Sequence, residues 1–188
     1  MKYVRLLEAI FAATLVACTT SAQAEVQKFM ATCDGKLCPY YHITLTPPDG
    51  WLVDEEATKK NRVQVIVPKG KTFKTAPALI YVQVFYHRDK QQSLANFAET
   101  SNGRWRARVK DATISPLPGV DRANGKQGFI RFAFENPSNA QQPYEVGAFG
   151  IDSDKDGNEF VLDVVMTGLD KTAIEAADKD YVAFLKAH

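Results

Sequence analysis

Five oxygen-bearing side chains fall at regular spacing in one short stretch. Asp152, Asp154, Asp156 and Asn158 stand at alternate positions, Gly157 interrupts them, and Asp163 follows. Oxygen ligands at alternate positions wrap a calcium ion when a glycine permits the sharp bend and a carboxylate closes the shell at the twelfth position. Asn158 falls where a backbone carbonyl would bind, and Asp163 falls at the closing position. Three departures stand against the match. Asp163 is shorter than the usual glutamate, Glu159 replaces the usual aliphatic residue, and strands rather than helices flank the loop. The competing reading is a β-hairpin whose Asp156-Gly157 tip is polar because it faces water. Calcium is therefore one expectation for this loop and a plain turn is the other.

The remaining reactive side chains are sparse. His42, His87 and His188 are the only histidines. His42 is placed in a first strand and His87 at the exposed end of a central one. A histidine with an acidic partner would make an unrecognised hydrolase, because such triads are defined in space rather than in sequence. No G-x-S-x-G elbow, H-E-x-x-H zinc motif, phosphate-binding loop or dinucleotide fingerprint occurs, so no catalytic residue is assigned. Arg104, Arg106, Arg108 and Lys110, with Trp105 among them, form the one strong charge cluster. It reads as a solvated face with the tryptophan turned inward. Trp51 and Trp105 are both expected in the core.

Cys33 and Cys38 flank Asp34-Gly35-Lys36-Leu37. Gly35 lets the chain turn back tightly, and the pair is expected to be a disulfide in an oxidising compartment. Half of a metal site is the alternative, but no second Cys or His pair has zinc spacing.

The first 24 residues set that compartment. Lys2 and Arg5 give a basic start, Ala9 to Ala17 an apolar core, and Ala22-Gln23-Ala24 a small-residue end. These are the three parts of a secretory signal. The apolar core is too short for a bilayer, which takes about 20 residues. Leu15-Val16-Ala17-Cys18 overlaps it and resembles a bacterial lipobox, in which Cys18 would be lipidated. The expected protein is periplasmic or secreted, or else a lipoprotein anchored at Cys18 and facing the periplasm. The leader carries two basic residues and one acidic one, so its removal takes the net charge from +1 to zero. A neutral domain has no bulk attraction to nucleic acid or anionic lipid.

Elements that would position these groups follow from periodicity. Residues 41–46 and 63–67 alternate as strands. Residues 78–86 are apolar on both faces, as a central strand must be. Ser93 is a helix cap, with a helix from Leu94 to about Val109; a period-two strand over 104–110 competes with its end. Residues 112–116 are extended, and residues 128–134 form a strand with Ile130, Phe132 and Phe134 on one face. Residues 144–151 and 159–167 form a hairpin. Thr172 and Glu175 make a capping box for a last helix with Ile174, Ala177, Tyr181, Phe184 and Leu185 in its stripe. The fold class is α+β, a mostly antiparallel sheet with helices packed on it. The divisions are 1–24 as signal peptide, 25–39 as an arm with the disulfide, and 40–188 as one domain.

This order of elements resembles the PsbP-like superfamily, which includes the extrinsic photosystem II subunit, bacterial DcrB-like periplasmic proteins and type VI secretion adaptor chaperones. The likeness rests on Pro48-Asp49-Gly50-Trp51, on the central strand running into Ser93-Leu94-Ala95-Asn96-Phe97, and on the final hairpin and helix ending Tyr181-Val182-Ala183-Phe184-Leu185. It covers roughly residues 40–187. It implies an α/β/α sandwich and a protein-binding or assembly role with another periplasmic or envelope protein, not a catalytic one. Fold alone carries function only by analogy.

The two processing routes separate on one substitution. If Cys18 is lipidated, Cys18→Ser moves the exported protein from the membrane fraction to the soluble one; an unchanged soluble fraction removes the anchor.

Overall fold

The structure is a computed structural model that describes residues 25–109, 111–136 and 144–188. The leader, including Cys18, and Lys110 lie outside the described residues. Nine strands and three helices are described, and every strand pairing is antiparallel.

The chain opens with a hairpin of β1 (Gln27–Cys33) and β2 (Lys36–His42). Its turn is Asp34-Gly35, both with positive φ (49° and 75°), the geometry that matches the twist of two-residue hairpins. Cys33 and Cys38 form the expected disulfide across it, with Cα atoms 5.9 Å apart. The strand predicted over 41–46 ends instead at His42. Ile43 and Leu45 are buried as their alternation implies. The backbone at Leu45, however, bonds a side chain: its N–H donates to Gln64 Oε1 (2.9 Å) and its carbonyl accepts from Gln64 Nε2 (2.7 Å). A primary amide satisfies both backbone groups at once, so no strand is needed there.

Pro48-Asp49-Gly50 turns the chain into β3 (Trp51–Val53). Next comes α1 (Glu55–Asn61), capped by Asp54, which accepts from the Ala57 N–H. This helix has no apolar stripe, only Glu55 and Glu56 in its first turn and Lys59 and Lys60 in its last, which suit the helix dipole. β4 (Gln64–Pro68) and β5 (Ala78–Tyr86) follow as expected. Ser93 caps α2 (Leu94–Arg108), so the helical reading of 104–108 holds over the strand alternative. Then come β6 (Thr113–Val120), β7 (Phe129–Glu135), and the hairpin of β8 (Tyr144–Ser153) and β9 (Glu159–Gly168). The last helix, α3 (Lys171–Ala187), is capped by Asp170, which accepts from the Ala173 N–H at 2.8 Å. The predicted Thr172–Glu175 box is therefore two residues too late: aspartate at 170 already fills the cap.

The sheet runs β1-β2-β5-β9-β8-β7-β6. β5 pairs with β9 along its whole length, from Ala78↔Gly168 to Tyr86↔Phe160. Its other edge is shared: β4 takes Ile80 to Val82, and β2 touches only at Tyr41↔Val84. The β1–β2 hairpin thus projects beyond the sheet, with Phe29, Met30 and Leu37 exposed.

Side-chain alternation sends successive residues of each central strand to opposite faces. Ile80, Val82, Leu162, Val164 and Met166 pack with Ile174, Ala177, Tyr181, Phe184 and Leu185 of α3, the stripe read from the sequence. On the other face Leu79 and Val65 pack with Ala57 of α1, while Val161 and Phe149 pack with Leu94 and Ala98 of α2. Tyr181 is fully buried, and its hydroxyl donates to the carbonyl of Val164 at 2.6 Å and lies 3.2 Å from that of Val146. Removing that hydroxyl in Tyr181→Phe is expected to cost about 1 kcal/mol in urea unfolding. Leu185→Ala, which opens a cavity under the same helix, should cost about 2–5 kcal/mol.

Candidate functional site

Opposite α3, the sheet surface is built of cross-strand rows. One row reads Tyr81, Val165, Gly147, Phe132. The next, toward the β8–β9 turn, reads Gln83, Asp163, Phe149, Ile130, and the row on the other side reads Leu79, Thr167, Glu145, Phe134. Residues in a row share a face because directly paired residues in an antiparallel sheet point the same way. Two carboxylates therefore stand on a face whose other described row members are apolar or uncharged.

α2 lies over this face, and aromatic contacts hold it there at two places. Phe97 packs against Phe85 and Phe149, with centroids 5.9 and 6.0 Å apart, and Trp105 meets Phe134 edge to face at 5.1 Å. Phe134 in turn fits because Gly147 has no side chain; a Cβ there would sit 2.9 Å from the Phe134 ring. Between helix and sheet lies a cleft of about 1250 Å³. Tyr81, Gln83, Glu145, Asp163 and Val165 line its floor. Ser101, Arg104, Trp105 and Arg108 line its helix side.

The floor is electrostatically unusual. Burial pushes the Asp163 carboxyl from its ordinary 3.8 up to about 7, and the nearby Glu145 charge adds to the shift. Glu145 is also raised by burial, against a lowering hydrogen bond from Thr167. Tyr81 is held well above its ordinary range by burial and by both carboxylates. Asp163 Oδ1 is sealed from solvent and has no hydrogen-bond partner. A buried acceptor without a partner is costly, and carboxylates displaced this far cluster at functional sites.

The loop read as a calcium shell is not assembled as one. Asp152 pairs with Phe160, which faces α3, whereas Asp163 faces α2. The first and last of the five residues thus lie on opposite sides of the sheet. Asp152 is buried against Arg122 and Lys126. Asp154 accepts from the backbone N–H groups of Asp156 and Asn158 and from the Asn158 amide, which shapes the hairpin tip. Among the described residues no group of three or more His, Cys, Asp or Glu side chains is placed to hold a metal. Asp163 belongs to the cleft instead.

The three histidines are engaged separately. His87 is buried, not exposed as predicted: its Nδ1 lies 3.2 Å from Glu159 Oε2 and its Nε2 2.9 Å from the Gln92 carbonyl. His42 ends β2 beside Phe29, and burial lowers its pKa. His188 Nε2 lies 3.0 Å from the Thr46 carbonyl. Trp51 is core, as expected, and donates to Asp180 at 3.0 Å. Trp105 is only half-buried and walls the cleft. Arg106 points away to Glu99, while Arg104 and Arg108 sit at the cleft.

Sequence reasoning missed Tyr81, Gln83 and Glu145. The signal available was a charged residue inside an apolar strand, as in Phe160-Val-Leu-Asp163-Val-Val and Tyr144-Glu145-Val. No protein-family model matches the chain, and no curated protein does.

A carboxyl whose folded pKa lies above its unfolded value holds its proton more tightly when folded. Its stabilisation is complete below the ordinary carboxylate range and is lost as pH rises through the folded pKa, here about 7. Wild-type stability should therefore fall between about pH 4 and pH 7 relative to Asp163→Asn, whose neutral amide lacks that dependence. Urea unfolding across this range measures it; parallel curves for the two proteins would show that Asp163 titrates normally.

Proposed function

We propose that this chain is an exported binding module that holds a segment of another periplasmic or envelope protein in the cleft under α2. The single observation that carries the reading is the cleft itself: a large concavity, aromatic at both ends, with a few polar groups converging on its floor. Such concavities with sparse, well-placed polar groups are where proteins bind other molecules.

Other features support the same reading. The Cys33–Cys38 pair suits an oxidising compartment. No helix among the described residues is long and apolar enough to cross a membrane. Helices cover both faces of the sheet, which suits the PsbP-like α/β/α sandwich proposed here as the finer fold. Both ring nitrogens of His87, the histidine at the cleft, are already engaged, so it is poorly placed to act as a free base.

The test is site-specific crosslinking in the exported compartment. A photoreactive residue at Ser101, inside the cleft, should give a discrete protein adduct. The same residue at Lys59, on the outer side of α1, should give none. If neither position crosslinks and the chain stays a solitary monomer, the reading falls.

A further inference from the structure

We propose that the cleft recognises a protonated amine carried on an apolar body, with the half-buried Asp163 carboxylate as its counter-charge. This rests on the binding reading above and adds the chemistry of what is bound.

Three observations converge on a cationic donor. First, Asp163 is half-buried in the cleft lining and its Oδ1 has no hydrogen-bond partner among the described residues, so the carboxylate is left incompletely satisfied within the fold. Second, the other acid on the floor, Glu145, has the same sign, and the side chains beside Asp163 in its row are Gln83 and Phe149, neither of them cationic. Among the described residues the floor is thus acidic and carries no cationic side chain. Third, the walls are π faces and edges: Tyr81, Phe85, Phe97, Trp105, Phe134 and Phe149. Aromatic rings favour an ammonium group and accept the apolar stem that bears it.

The arginines do not supply the missing charge. Arg104 and Arg108 on α2 and Arg88 just after β5, the three arginines that line the cleft, are all exposed, where water screens them. An anionic ligand drawn to these arginines would have to lay its apolar body over two carboxylates, leaving Asp163 without a counter-charge. A primary ammonium offers three donors on a compact head, which suits a site one carboxylate wide better than a planar guanidinium does. A free small amine and a lysine side chain of a partner share this chemistry.

Isothermal titration of the full mature chain tests it with three probes of one shape: 3-phenylpropylamine, 3-phenylpropanol and 3-phenylpropionate. The amine should bind about tenfold or more tightly than either comparator. Asp163→Asn should remove that preference while leaving the alcohol unchanged, with circular dichroism confirming the fold. Ser101→Trp, which fills the cleft without touching the acid, should weaken all three. Equal binding of amine and alcohol, or preference for the carboxylate, overturns the proposal. A blocked tripeptide Phe-Lys-Phe, run beside its acetyl-lysine form, separates the sources. Preference for the unmodified peptide assigns the site to a partner's lysine, and preference for 3-phenylpropylamine alone assigns it to a free amine. If the amine fails but the Ser101 adduct forms, the amine assignment falls and the binding reading stands.

Discussion

The pairing of β5 with β9 along nine residues, with both faces of the pair covered except at the exposed Phe85–Tyr86 end, is the constraint from which the rest follows. A strand pair covered on both sides cannot hand its side chains to water. The α3 face meets this in the usual way, with Ile80, Val82, Leu162, Val164 and Met166 closing on the helix stripe. Polar side chains that enter that face find partners, although Arg122 Nε and Arg131 Nε are themselves left without one. The Tyr181 hydroxyl reaches backbone carbonyls, and Arg131 pairs with Asp178 while its guanidinium lies 5.5 Å from the Tyr181 ring centroid. Arg122 behaves likewise: its side chain is buried yet meets Asp152, the Ile151 carbonyl and the Phe129 ring.

The α2 face breaks this pattern, and the break defines the cleft. Leu94 and Ala98 seal one end of the helix onto Phe149 and Val161. Beyond them the helix carries Ser101, Arg104 and Arg108 along the side that borders the cleft, residues too small or too polar to fill the space above Tyr81, Gln83 and Asp163. The aromatic contacts at Phe97 and Trp105 keep helix and sheet apart at a fixed spacing instead of letting them collapse. Asp163 and Glu145 are then caught between burial and solvent, and burial dominates their titration. A polar residue retained at a desolvating position works against stability, and binding function is the usual compensation.

Much of the frame was legible. Residues 78–86 read as a central strand because both parities are apolar, and they form β5 within those bounds. Ser93 announced α2, and the stripe from Ile174 to Leu185 announced α3. Other elements left weaker marks. α1 is seven residues without an apolar period, so only its Asp54 cap and its charge order could have shown it. The strand predicted through Ile43 and Leu45 failed because burial alternation says nothing about hydrogen bonding, which there goes to the Gln64 amide. The candidate site was half visible: Asp163 drew notice, but as the end of a loop with Asp152.

Sequence alone determined the local facts of this chain: the apolar parity of its strands, its turn at Asp34-Gly35, and the α+β class that these compose. Such features depend on residues near one another along the chain, where sterics and hydrophobic period act directly. Tertiary structure decided which strands are neighbours and what each strand's two faces meet. Gln83, Asp163 and Phe149 share a row because β5, β9 and β8 lie side by side in register, and Trp105 reaches Phe134 because α2 crosses above them. Side-chain parity assigns Asp152 and Asp163 to opposite faces only once that pairing is known, which is why one acid ends in an ion pair and the other in a cleft.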